Sequence, residues 1–175
     1  SAASDVYKRQ ELIDEVISEA LKHINRKSKE HTIRVTSGKD FILAHIDAKL
    51  IVQVIINLVD NAIKYTPEHS RIELFAAPEG KFVRICVTDD GPGIPEESRD
   101  KLFDMFYTLG KTRSDGRRGL GLGLALCRSI VAAHGGVIDV QNAAPHGACF
   151  RFTLPRTEVT LYEYCLLYTS PSPRD

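Results

Sequence analysis

Apolar residues recur along this chain with two different periods, and the changes of period divide it into elements. From Gln10 to about Lys27, Leu12, Ile13, Val16, Ile17, Ala20, Leu21 and Ile24 return at helical spacing. Two short strands are expected next, over 31–37 and 41–46, split by the turn Gly38-Lys39-Asp40. A long helix is predicted from about Asp47, a residue suited to cap its first turn, to Tyr65, stopping before Pro67. The runs 72–77 and 82–88 read as a hairpin around Pro78-Glu79-Gly80. A Gly/Pro loop at 90–95 leads to a short helix at about 96–106, and the polar stretch 110–119 has the composition of a mobile loop. A helix at about 122–134 and a hairpin of 137–141 with 149–154 complete the pattern. Helices and antiparallel hairpins in this order predict an α+β fold, a two-layer α/β sandwich with helices on one face of a mixed sheet.

The two ends depart from this pattern. Residues 1–9 carry no hydrophobic period, and 158–175 ends in alternating Ser and Pro, which suits neither a helix nor a central strand. Both are expected to be disordered or non-native, leaving a helix over 10–30 and one domain over 31–157. The 175 residues suit a single domain, and an apolar content of 43% is enough for a core. Lys plus Arg equals Asp plus Glu at 23 each, so charge gives no reason to expect nucleic acid or an anionic membrane as partner. The cysteines Cys86, Cys127, Cys149 and Cys165 form no C-x-x-C pair, so reduced thiols are expected rather than a zinc site or a disulfide framework. No run approaches the roughly 18–20 apolar residues that cross a bilayer.

Three stretches carry candidate chemistry. On the helix 47–65, apolar residues cover most of the circumference, yet Asn57, Asn61 and Lys64 stand at i, i+4 and i+7 and fall in a wedge of roughly 60°. Buried amides need partners. A polyphosphate with its magnesium would supply them, the amide oxygens as hard ligands and the ammonium against phosphate; a solvated stripe on a surface helix is the alternative. In Val87-Thr88-Asp89-Asp90-Gly91-Pro92-Gly93-Ile94, an apolar strand delivers Asp89 beside two glycines that permit close backbone approach. A carboxylate there can accept from an exocyclic amine such as that of adenine, although D-G-P-G is also a common surface turn. Third, Gly119-Leu120-Gly121-Leu122-Gly123-Leu124 opens a helix, where free N–H groups and the helix dipole attract an anion. The spacing is not the dinucleotide G-x-G-x-x-G, and Gly110-Lys111-Thr112 lacks the first glycine of a phosphate-binding P-loop, since Met105 stands there.

In this order and spacing the three stretches resemble the N-box, G1 box and G2 box of the GHKL (Bergerat) ATPase superfamily. A fourth, Lys101-Leu102-Phe103-Asp104-Met105-Phe106-Tyr107, is similar to the F-box of sensor histidine kinases. The resemblance runs from about Asp47 to Pro155 and implies ATP and magnesium as ligands. By it, Asn61 is the principal magnesium ligand, Asn57 supports it, Lys64 meets phosphate and Tyr65 lies against adenine. Asp89 accepts from the adenine amine, in a pocket shaped by Gly91, Gly93 and Ile94. Gly119, Gly121, Leu122 and Gly123 frame the triphosphate beside a lid over about 107–118, which Phe103 and Phe106 anchor unless they are ordinary core aromatics. One departure stands out: Thr108 follows Phe106-Tyr107 where many members carry an arginine placed for the γ-phosphate. Within the family, Asp60-Asn61-Ala62-Ile63-Lys64-Tyr65-Thr66-Pro67, Leu122-Gly123-Leu124-Ala125-Leu126-Cys127, Ala133-His134-Gly135-Gly136 and Gly147-Ala148-Cys149-Phe150-Arg151-Phe152-Thr153-Leu154-Pro155 look most like the potassium-responsive, KdpD-type sensors.

The resemblance also bears on what happens to ATP. Relatives that hydrolyse it use a glutamate one turn before the metal-binding Asn, and here that position is Asn57, whose amide is no base near neutral pH. ATP is then held for a nucleophile from elsewhere. In histidine kinases this is an imidazole followed by Glu or Asp, and none of His23, His31, His45, His69, His134 and His146 is so followed. The implied partners are a separate dimerisation and phosphoacceptor hairpin, to which the helix 10–30 connects, and indirectly a response regulator. The implied place is the cytoplasmic side of a membrane sensor, with no membrane contact by this domain. A serine kinase of the anti-sigma-factor type and a non-catalytic nucleotide-sensing module are the rival readings.

Overall fold

The computed structural model describes residues 6–24, 30–37, 41–107 and 123–158. Its elements are β1 (Arg9–Leu12), α1 (Ile13–Ile24), β2 (Thr32–Ser37), β3 (Leu43–Ile46), α2 (Ala48–Tyr65), β4 (Arg71–Glu79), β5 (Phe82–Asp89), α3 (Glu96–Arg99), α4 (Gly123–Ala133), β6 (Ile138–Asn142) and β7 (Ala148–Thr157). The strands form one sheet in the order β1-β3-β7-β5-β4-β2, with β6 also paired to β7. Only β2 with β4 is parallel, so the sheet is mixed as expected. Strand β7 serves two partners along one edge: Ala148–Phe152 pairs with β6, and Arg156 and Thr157 pair with β3.

Strict alternation explains the two layers. Ile72, Leu74 and Ala76 of β4, Val83, Ile85 and Val87 of β5, and Ala148, Phe150, Phe152 and Leu154 of β7 are buried on one face, with half-exposed or exposed residues between them. That face packs against α2, whose Ile51, Val54, Ile55, Leu58, Val59 and Ala62 are buried. Asp47 caps α2 as its sequence position suggests, Oδ1 accepting from the Leu50 N–H at 3.3 Å. At the other end Thr66 Oγ1 donates to the Ala62 carbonyl at 2.6 Å. Helix α4 closes with Gly135 in the left-handed region (φ 79), the Gly136 N–H returning to Val131 and the Gly135 N–H to Ala132, both at 3.0 Å.

Two expectations need correction. The helix predicted from Gln10 begins at Ile13, because Gln10, Glu11 and Leu12 pair with β3 as strand β1. Its residues Ile13, Val16, Ile17, Ala20 and Ile24 are buried in the same core as α2. The strands over 31–37 and 41–46 do not pair with one another. β2 lies on the β4 edge and β3 beside β7. The helix over 96–106 is helical only at 96–99, and turns follow to 106. The expected turn 38–40, the loop 110–119, residues 1–5 and 159–175 lie outside the described residues.

Candidate functional site

Strand β5 ends by placing a carboxylate where its alternation calls for an apolar side chain. Asp89 follows Val83, Ile85 and Val87 on the buried face and is 8% exposed. A carboxylate so placed needs hydrogen-bond donors. One oxygen has them: Oδ1 accepts from the N–H of Gly91 at 2.9 Å and of Ala148 at 3.2 Å. Oδ2 accepts from no donor among the described residues, and Asp89 lines a recess with Asn61, Ala62 and Tyr65 of α2, Pro92, Gly93 and Ile94 of the following loop, and Ala148 and Phe150 of β7. The arrangement leaves one aspartate oxygen as an acceptor for a ligand in an otherwise largely apolar hollow.

Backbone conformation and one side chain hold the loop 90–95 over this hollow. Gly93 has φ 82, and a Cβ there would stand 2.8 Å from Asn142 Oδ1. Asn142, at the end of β6, grips Ile94 at both backbone groups: Oδ1 accepts the Ile94 N–H at 2.8 Å, and Nδ2 donates to the Ile94 carbonyl at 3.0 Å. A Cβ on Gly91 would stand 2.7 Å from Thr66 Cγ2, so only glycine lets the loop lie against the end of α2. His146 Nδ1 stands 3.2 Å from the Gly91 carbonyl. Gly147 (φ 115) passes so close to β5 that a Cβ would come within 1.9 Å of the Asp89 carbonyl oxygen. Asn142 carries no motif of its own, and Gly147 enters the sequence reading only as the start of the run 147–155. Asn142 becomes visible only when the β6–β7 hairpin sets it beside a loop distant in sequence.

The polar stripe of α2 divides in two. Asn61 is half-buried at the recess, and its side chain has no hydrogen-bond partner among the described residues. A neutral amide oxygen of this kind suits a hard divalent cation such as magnesium. Asn57, one turn earlier, is already engaged: its Oδ1 accepts from Gln53 Nε2 at 3.1 Å, and its amide also reaches the Cys127 thiol on α4. That thiol, which points to the Val54 carbonyl at 3.8 Å, is pushed up to about 12 by burial. Lys64 is exposed, and Tyr65 is at the rim of the recess and 40% exposed. Among the described residues no cluster of three or more His, Cys, Asp or Glu side chains could hold a metal.

Of the sequence-predicted residues, the fold brings Asn61, Tyr65, Asp89, Gly93 and Ile94 to one recess, with Gly91 beside it. Gly119, Gly121 and Leu122 lie outside the described residues, as do Thr108, Lys111, Arg113, Arg117 and Arg118. Gly123 opens α4 with nothing within 4 Å of where a Cβ would stand. The F-box aromatics separate. Phe103 is a core residue, edge-on to Phe150 with ring centroids 6.3 Å apart, whereas Phe106 is 66% exposed with φ 65. No helix among the described residues is long and apolar enough to cross a membrane.

Known proteins are similar to this chain in sequence and fold. Residues 46–158 match the family described as histidine kinase-, DNA gyrase B-, and HSP90-like ATPase. Sensor protein KdpD of Clostridium acetobutylicum is 46% identical over 146 residues, covering 83% of this chain and 16% of that protein. Adaptive-response sensory kinase SasA of Gloeothece citriformis is 41% identical over 140 residues, covering 78% of this chain and 35% of that protein. The catalytic domain of histidine kinase ThkA superposes with a TM-score of 0.75 at 32% identity, covering 85% of this chain and 95% of that one.

Proposed function

The chain belongs to the histidine kinase-, DNA gyrase B-, and HSP90-like ATPase family, as the ATP-binding catalytic domain of a sensor histidine kinase, and from that premise we propose that it holds magnesium-bound ATP in the Asp89–Asn61 recess and donates the γ-phosphoryl group to a histidine on a separate helical hairpin. The observation that carries this reading is the pairing, in a single hollow, of an aspartate oxygen and an amide that have no partner among the described residues.

In this reading Asp89 Oδ2 accepts from the exocyclic amine of adenine while Oδ1 stays tied to the backbone of Gly91 and Ala148. Gly91, Gly93 and Ile94 shape the ring pocket, and Tyr65 closes its rim. Asn61 is the first magnesium ligand. Asn57 supports it after releasing Gln53, a rearrangement that makes it the weaker of the two. Lys64 meets phosphate from the exposed end of α2, and Gly119, Gly121, Leu122 and Gly123 cradle the triphosphate. Magnesium, when bound, neutralises charge on the phosphate oxygens.

Hydrolysis is slow in this site because the residue one turn before Asn61 is an amide, which activates no water. Phosphoryl transfer asks the domain chiefly for positioning and charge neutralisation once a nucleophile arrives. That nucleophile comes from a dimerisation and phosphoacceptor hairpin, and the phosphate passes on to a response regulator. The histidine kinase ThkA has been solved in complex with response regulator protein TrrA. Identity with KdpD favours a potassium-responsive membrane sensor as the parent, with this domain on its cytoplasmic side. Labelled ATP, the full chain and a separately made hairpin test the proposal. Acid-labile phosphate on the hairpin is expected; acid-stable phosphate on serine, or no transfer with ATP bound, overturns it.

A further inference from the structure

The loop over the recess contains one peptide unit with a single polar handle. Between Gly91 and Pro92 there is no N–H, because proline has none, so only the Gly91 carbonyl can tie that unit by a hydrogen bond. The joint before it is soft, since glycine restricts its own backbone least, whereas the ring fixes the φ of Pro92. Pro92 lines the recess with Asp89 and Asn61. Its place over the hollow therefore depends on what the Gly91 carbonyl meets.

It meets His146. Nδ1 stands 3.2 Å away, and a carbonyl can only accept, so that nitrogen carries a proton and donates. No other donor reaches this carbonyl among the described residues. The rest of Gly91 is already engaged, its N–H donating to Asp89 Oδ1 at 2.9 Å and its Cα lying against Thr66. His146 shares a hairpin tip with Asn142. The Ala143 N–H closes that tip on the Gly147 carbonyl at 2.9 Å. The tip holds the loop at two places, Asn142 at Ile94 and His146 at Gly91. His146 itself is exposed and does not line the recess, so any effect it has on a ligand there passes through Gly91.

We propose that His146 is a positioning residue for base recognition. Its hydrogen bond to the Gly91 carbonyl fixes Pro92 over the recess and steadies the Gly91 N–H on Asp89 Oδ1, so that Oδ2 is held in one place as the acceptor for the adenine amine. The role rests on the reading of the recess as an adenine site. It asks for a donor at Nδ1 and for neither charge nor basicity. An asparagine carries an amide N–H at the same number of bonds from the backbone and can replace the ring. A leucine has similar reach and no donor, and cannot.

The test measures binding of magnesium ATP and magnesium GTP to the full chain by titration calorimetry, with urea unfolding alongside. Loss of one neutral hydrogen bond in His146→Leu is expected to weaken ATP about three- to tenfold. GTP binding and the urea midpoint should stay where they were, because the ring is exposed and the loss falls on the adenine contact. His146→Asn should recover most of the lost ATP affinity. Unchanged ATP affinity in His146→Leu, an equal loss in His146→Asn, an equal loss for both nucleotides, or a fall in the urea midpoint that matches the lost affinity would each overturn this role and leave the adenine site standing. Absence of ATP binding by the unsubstituted chain would instead remove the adenine site, and this role with it.

Discussion

The backbone N–H of Asp47 donates to Nε2 of His134 at 3.1 Å, which ties the cap of α2 to the residue just past α4. The opposite ring nitrogen, Nδ1, bonds the Ile130 carbonyl at 2.8 Å. One nitrogen must accept and the other donate, so the fold requires the neutral imidazole with its proton on Nδ1. The cap side chain serves Leu50, and the cap residue's own N–H is also satisfied, by a side chain 87 positions further along the chain.

This makes stability fall in mild acid. Burial, the largest effect, holds His134 below the ordinary histidine value; Lys8 acts in the same direction, and the Ile130 bond and Asp47 oppose it. The contribution is fully present above the unfolded value of about 6.5. Below that, the unfolded chain takes up a proton that the folded chain refuses, and stability drains away as pH falls toward the depressed folded value. The urea midpoint should be lower at pH 5.5 than at pH 7.5, and the difference should shrink in His134→Gln. An equal difference in both proteins would remove His134 as its source.

Asn61 and Asn57 should separate in metal dependence. Asn61→Ala is expected to weaken magnesium-dependent ATP binding by about 10–100-fold, the loss of one good polar contact to a charged group. Asn57→Ala should cost less, because its oxygen is already bonded to Gln53. Titration calorimetry with and without magnesium measures both, and equal losses would contradict the division of labour along α2.

Asp89→Asn is a sharper test than alanine. The amide oxygen can still accept from Gly91 and Ala148, and only the outward oxygen changes, from an acceptor to an NH2 donor. The fold should be kept while ATP loses about tenfold or more of its advantage over GTP. Competition binding with the two nucleotides reads this directly, and an unchanged preference would mean that Oδ2 does not meet the base.

Asn142→Ala removes both hydrogen bonds that hold Ile94. The expected cost is about 1–3 kcal/mol, seen in urea unfolding, together with weaker ATP binding as the loop 90–95 loses its clamp. A stability loss without any change in affinity would confine Asn142 to a purely structural role.

How much of this was legible in the sequence differs from residue to residue. Helix α2 was readable almost to its ends, because Asp47 and Pro67 punctuate a long periodic run and no other element competes for it. Asp89 and Asn61 were readable as chemistry because each is polar at a position its own periodicity marks as buried. Strand β1 was not. Four residues carry too little period to separate a strand from the first turn of a helix, and the decision falls to β3, which pairs with them from far along the chain. The grip of Asn142 on Ile94 was hidden for the same reason: it is made by the pairing of β6 with β7, which brings distant residues together without leaving a local mark.

Strand β7 acquires a mechanical meaning from its divided edge. It runs for ten residues, a stiff rod of roughly 33 Å at the usual rise of a strand. One tip, Ala148, grips Asp89, and the other, Arg156 and Thr157, is bonded to the β3 strand that also carries β1 and, directly joined to it, α1. A pull on α1 therefore has a hydrogen-bonded path to the carboxylate at the far tip, through the pairing of β1 with β3 and of β3 with β7 and then along β7 itself.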